Sequence, residues 1–197
     1  LDLIEQQLQS KNYKLLTFTH VDTSTAVLND AKNIGALGKK YKVLTLLDGV
    51  CSVAGEDIKQ DDWGLDVVLT ASQKAIGVPP GLALMVASKN AIQAFKQRTT
   101  PVANYYGDWT NWLPIMKAYE NKQASYFGTP PVNLIMALEK SLQLILKEGL
   151  HYRFERHQRA GKAMRAAMKA LGLDLLSKKD SVAANTLSAP LYPSQID

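Results

Sequence analysis

The sequence predicts an α/β fold, a mostly parallel sheet covered by helices on both sides. Three observations carry this expectation. Residues 14–19, 43–47, 67–70 and 82–86 are short runs with apolar residues on both faces, as strands buried in a parallel sheet have. Helical spacing separates the early ones: Leu3, Ile4 and Leu8 mark a first helix, and residues 31–41 a second, although Gly35 and Gly38 weaken it. Turn formers end the strands, with Asp48-Gly49 after the second and Gly77 to Gly81, containing Pro79-Pro80, after the third.

Beyond the sheet, residues 90–98 form an amphipathic helix, and residues 101–112 are aromatic-rich and irregular. Pro131 sits where prolines favour a helix start, and Leu134, Leu138, Leu142 and Ile145 give an apolar stripe ending at Gly149. Another helix runs from about 150 to 170 and stops at Gly172. The Leu134 and Met164 stripes read as core packing. Leu173, Leu175 and Leu176, with Thr186 and Leu187, suggest strands of a smaller α+β unit. The expected division is therefore residues 1–148 as part of a large domain and 149–197 as the start of a small C-terminal one.

Composition narrows the classes. With 197 residues, 46% hydrophobic and 21% charged, the chain suits one globular core and part of a second. No apolar run approaches the roughly 20 residues of a membrane span. Leu1 to Glu5 reads as the middle of a helix, not as a signal peptide. One cysteine excludes an internal disulfide and points to a reducing, intracellular compartment. The net charge is +5, and basic residues crowd 151–169, from His151 and Arg153 to Lys169. Without stacking aromatics or a nucleic-acid motif, these read as a solvated helix face, and neither nucleic acid nor membrane is an expected partner. The three histidines and Cys51 lack metal-site spacing.

The chemistry concentrates at three points. Lys74 follows the third strand through Ala71-Ser72-Gln73 and precedes a rigid Gly/Pro stretch. An amine held there and desolvated by small neighbours is suited to covalent catalysis. Asp48 closes the second strand and Thr23 follows the first. All three lie past carboxyl ends of strands, where open α/β sheets bind ligands. Asp48 also suits a turn or cap before Gly49, and Thr23 a helix cap, so these residues alone leave both roles open.

The segments His20-Val21-Asp22-Thr23-Ser24-Thr25, Asp48-Gly49-Val50-Cys51-Ser52 and Ser72-Gln73-Lys74 resemble the cofactor-binding stations of class V aminotransferases of fold type I. The nearest branch is the alanine/serine:glyoxylate aminotransferases, which Pro79-Pro80-Gly81 and Tyr126-Phe127-Gly128-Thr129-Pro130-Pro131 also fit. The resemblance implies pyridoxal 5′-phosphate as cofactor and small amino and 2-oxo acids as substrates. It implies that Lys74 bonds the cofactor and moves the substrate proton, Asp48 pairs with the ring nitrogen, and Val50 packs on the ring. Thr23 would bond the phenolic oxygen and Gln73 the phosphate. Tyr126 and Thr129 would reach the phosphate of a neighbouring subunit, making a homodimer with shared sites.

The same resemblance implies an upstream phosphate loop and stacking aromatic and a downstream carboxylate-binding arginine. All fall outside this chain, which therefore reads as an internal fragment. Glutamine rather than histidine before the lysine favours transamination over sulfur transfer. Two alternatives stand: another class V enzyme, such as a cysteine desulfurase or ureidoglycine:glyoxylate aminotransferase, or a non-catalytic basic binding fragment. His20 is expected to be structural.

Overall fold

The computed structural model describes residues 1–193. Four strands, β1 (Leu15–Thr19), β2 (Leu44–Asp48), β3 (Val67–Ala71) and β4 (Ala83–Ala87), form one sheet in that order. The first three are parallel and β4 is antiparallel to β3. Thr19, Asp48 and Leu69 stand side by side across the parallel strands, so the chain leaves β1, β2 and β3 at one edge. The mostly parallel α/β architecture expected from the sequence is present.

Helix α1 (Asp2–Ser10) precedes the sheet, and α2 (Ala31–Tyr41) crosses from β1 to β2. Asp30 caps α2 by accepting from the Asn33 amide, and Lys42 ends it in a left-handed conformation with φ of 55°. The two glycines that weaken α2 have a packing reason. A Cβ on Gly35 would lie 2.3 Å from the Trp63 carbonyl oxygen, and one on Gly38 2.3 Å from Thr45 Cγ2. The helix can approach the sheet only where side chains are missing. Val43, expected in β2, instead donates its amide to Gly38 as part of that helix end.

A short helix, α3 (Gln60–Trp63), leads into β3, and α4 (Lys89–Lys96) follows β4. The main core joins Ala31, Leu47, Leu65 and Val68, flanked by Phe18, Val53, Ile58 and Trp63. A second cluster joins Val21, Cys51 and Ala184, with Leu28, Val50 and Leu187 packed on it. This second cluster draws the end of the described chain onto the turns beyond β1 and β2.

Three expectations need correction. Residues 101–112 are not wholly irregular, because α5 (Trp109–Glu120) begins within them, capped by Asp108 and containing Pro114. A proline inside a helix removes one backbone bond, so the pattern reads as broken where the helix in fact continues. The sheet is covered unevenly. Strands β2 and β3 are largely buried, whereas Leu15 on β1 and Met85 and Val86 on β4 are exposed. The strands suggested near Leu175 and Thr186 are only single bridges, Leu175 with Pro190 and Val27 with Ala183, beside a 3-10 turn at Asp180–Val182.

Helix α6 (Val132–Glu148) starts after Pro131 and ends at Gly149, and α7 (Leu150–Ala170) follows directly, at the bounds the sequence predicts. Their apolar stripes, however, are not the core packing expected: Ile145 is buried, while Leu142 and Met164 are exposed. The expectation of a wholly solvated basic face on α7 fails at two residues. Arg165 is buried and donates to the Ala184 carbonyl at 2.8 Å, and Arg153 also turns inward.

Candidate active site

Three turns leave the carboxyl edge of the parallel strands, and each carries one of the residues singled out above. Asp48 ends β2. Its backbone carbonyl accepts from the His20 amide at 2.8 Å, which joins its turn to the one after β1. The Gly49 amide donates to Leu69 at 2.8 Å and Thr70 Oγ1 donates to the Gly49 carbonyl at 3.2 Å, joining the same turn to β3. Gly49 is needed for this approach, since a Cβ there would lie 2.7 Å from Val53 Cγ2 and 3.1 Å from the Leu69 carbonyl oxygen.

Asp48 Oδ1 accepts from the Val50 amide at 2.9 Å, the turn role the sequence allowed. Its Oδ2 has no donor among the described residues, so the carboxylate keeps an oxygen for a ligand. Val50 is half-buried on the Val21, Cys51 and Ala184 cluster. Thr23 does not cap α2, a role taken by Asp30; its hydroxyl meets Cys51 Sγ at 3.0 Å, joining the first and second turns.

The third turn is built on buried Ser72, whose hydroxyl donates to the Pro79 carbonyl at 2.7 Å while accepting from the Leu82 amide at 3.3 Å. The Gly77 amide donates to the Lys74 carbonyl at 2.9 Å and the Val78 amide to Ser72 at 3.0 Å. Gly77 has φ of 78°, a conformation that favours glycine. The result is a closed turn presenting Gln73 and Lys74. Both side chains are exposed, so the desolvation expected around Lys74 is not supplied by the described residues. The small neighbours shape the backbone but are too short to cover a four-carbon stem.

The second turn is also held from behind. Glu56 accepts from the Asn185 amide at 2.5 Å and from Asn185 Nδ2 at 2.9 Å, and Thr186 Oγ1 donates to the Cys51 carbonyl at 2.7 Å. Nothing in the spacing of these residues marks them, because partners 129 and 135 residues apart leave no local pattern. Tyr126 and Thr129 lie apart, on the exposed segment between α5 and α6, with no hydrogen bond to the sheet-edge residues among those described.

His20 is buried edge-on to Trp63, with ring centroids 6.2 Å apart, and its Nδ1 has no hydrogen-bond partner among the described residues. Desolvation pushes the imidazole down to about 4, partly opposed by Asp57. It is therefore neutral near pH 7, in keeping with the structural role expected for it. Glu148 is held down to about 2, mainly by the hydrogen bond from Arg156, with another from Arg153. No group of three or more potential metal ligands occurs among the described residues.

One edge thus gathers an amine, a carboxylate with a free oxygen, a hydroxyl and an amide. That donor set fits an aldehyde-bearing, phosphorylated pyridine, the type of cofactor the sequence resemblance implies. The fold and this edge place the chain in a defined class: the Aminotransferase class-V family model matches residues 1–189, and the chain belongs to that family.

The comparisons narrow further. The chain is 43% identical to "Alanine--glyoxylate aminotransferase 1" of Saccharomyces cerevisiae, over 80% of this chain and 42% of that protein. It is 37% identical to "Serine--glyoxylate aminotransferase" of Arabidopsis thaliana, over 97% of this chain and 47% of that protein. A solved alanine–glyoxylate aminotransferase from Nostoc sp. superposes with a TM-score of 0.91 at 30% identity, covering all of this chain and 51% of the other. The chain spans less than half the length of the two curated relatives.

Proposed function

We propose that this chain is the central part of a pyridoxal-phosphate aminotransferase that moves an amino group from alanine or serine to glyoxylate, giving glycine and pyruvate or hydroxypyruvate. The carrying observation is the shared edge, where Asp48 and the Lys74 turn leave adjacent parallel strands bonded through Gly49 and Leu69. The pyridoxal phosphate supplies an electron sink for the substrate's α-carbon. Asp48, through its free Oδ2, holds a proton on the ring nitrogen. Lys74 would hold the cofactor at rest and, once the substrate's amino group had displaced it, its free amine would carry the proton to and from the substrate's α-carbon.

Val50 supports one face of the ring, Thr23 orients the phenolic oxygen and Gln73 binds the phosphate. The exposure of Lys74 and of Tyr126, which is 71% accessible, supports a site completed by other surfaces. In a homodimer, Tyr126 and Thr129 would bind the phosphate of the partner. The large and small units divide at Gly149, between α6 and α7. Among the described residues no helix is long and apolar enough to cross a membrane, and we assign the protein to an intracellular compartment because of its single cysteine.

The intact protein, supplied with cofactor, alanine or serine, and glyoxylate, should form glycine together with the matching 2-oxo acid. Sulfide released from cysteine without glycine formation would favour a desulfurase instead. Failure to retain pyridoxal phosphate would refute the assignment in either form.

A further inference from the structure

One side chain bonded to several elements at this edge, Arg153, is read from the sequence only as part of a solvated basic face. Arg153, in the first turn of α7, uses three edges of its guanidinium on three different elements. Its Nε donates to the Ala54 carbonyl at 2.6 Å, in the turn after β2. Its Nη2 donates to the Ala75 carbonyl at 2.5 Å, in the turn after β3. Its Nη1 meets Glu148 at 2.9 Å, at the end of α6, and Arg156 binds the other oxygen of the same carboxylate at 2.5 Å. Arg153 is only 13% exposed, so these bonds are largely shielded from water.

The two carbonyls are prepared for it. Ala54 has φ of 67°, an uncommon left-handed conformation for a residue with a Cβ. Ala75 directly follows Lys74. The turns touch without space between them, since a Cβ on Gly55 would lie 2.4 Å from Thr186 Cγ2 and 3.2 Å from Ala75 Cβ. One turn further along α7, His157 Nδ1 donates to the Arg153 carbonyl at 2.9 Å, and its Cδ2 lies 3.6 Å from the Cβ position on Gly55.

From this geometry we infer that Arg153 is a positioning residue that sets the spacing between the turn carrying Lys74 and the turn carrying Asp48. It touches neither amine nor carboxylate. A planar fork can hold two carbonyls at a fixed separation, whereas a lysine ammonium, as a compact charge on a flexible stem, cannot. Residues acting on one reactant must be held to within fractions of an ångström, and a 1 Å displacement can cost about 100-fold in rate. The inference rests on the proposed reading of Lys74 and Asp48 as the two sides of the cofactor site.

The test compares wild type, Arg153→Lys and Arg153→Ala in the intact protein. Hydrogen exchange of the cofactor-free protein reads residues 49–56 and 72–81 separately. Pyridoxal phosphate affinity and the pH midpoint of the bound cofactor's absorption read the spacing itself. In Arg153→Lys, both turns should lose protection together, affinity should fall about 10- to 100-fold and the pH midpoint should move, with the melting transition retained. Unchanged affinity and midpoint would overturn the inference even if protection fell, because Arg153 would then be only a structural brace. Unchanged protection of either turn would overturn it equally. Should Arg153→Ala not fold, Arg153→Lys decides. If wild type binds no cofactor, the proposed function fails instead, and the exchange data still decide whether Arg153 couples the turns.

Discussion

The two turns beyond β2 and β3 and the segment leading into α6 contrast sharply. In the turns, Ser52 and Ser72 are fully buried, and Gly49 and Gly55 pack so closely that a methyl group would collide. Along 105–146, by contrast, Tyr105, Tyr126, Met136 and Leu146 are each more than 60% exposed. Aromatic contacts still organise that region, with Phe127 stacked edge-on against Trp112 at 4.7 Å and against Tyr105 at 5.7 Å. One half of the proposed site is built by contacts within the chain. The other half presents apolar surface of the kind that interfaces cover. The difference teaches that position and burial are separable: the described residues fix the turn that carries Lys74 but leave its side chain exposed.

Substitutions can break that contrast from either side. The largest effect is expected at Lys74: Lys74→Ala should lower turnover of the intact enzyme by at least about 10²–10⁴-fold, the share owed to proton transfer alone, and leave the melting transition in place. Steady-state assay and calorimetry together check this. Next is Gly55→Ala, where a methyl group must displace Thr186 Cγ2 from 2.4 Å. Overpacking there should cost about 1–3 kcal/mol in denaturant unfolding and should loosen the Asp48 turn.

An acid-dependent effect of similar size is expected at His20. Its folded value near 4 lies below the ordinary histidine value of 6.5, so the unfolded chain binds more protons between those limits. Stability should therefore fall as pH drops from about 6.5 to 4, by about 3 kcal/mol at 1.36 kcal/mol per pH unit. His20→Phe keeps the contact with Trp63 and should remove this component of the pH profile. Glu148 acts in the same sense at lower pH: its stabilising contribution is present above about 4.5 and is lost as pH falls toward 2. The smallest effect on folding is expected at Tyr126, where Tyr126→Ala should change stability by less than about 0.5 kcal/mol. Its cofactor affinity should nonetheless fall if the partner's phosphate is its target, and equilibrium dialysis separates the two.

The turns that carry the first half of the proposed site were legible because their signals are local. Apolar runs end in Asp48-Gly49 and Ala71-Ser72, and each strand lies within one residue of its expected start. Helix α2 was legible despite Gly35 and Gly38, whose cost is offset by close packing on Thr45 and Trp63. Helix α5 was obscured by Pro114. The hold of Arg153, Asn185 and Thr186 on the turns was hidden for a different reason. Those bonds join residues roughly a hundred positions apart, and a basic helix looks the same in sequence whether its arginines face solvent or carbonyl oxygens.

The central claim is that Lys74 is the amine that bonds the cofactor. Borohydride reduction of the yellow intact protein, followed by peptide mapping, tests it most directly. A phosphopyridoxyl group on the peptide containing Ser72-Gln73-Lys74, at Lys74 alone, is the expected result. A label at another lysine, or none in protein that turns over alanine and glyoxylate, would contradict it.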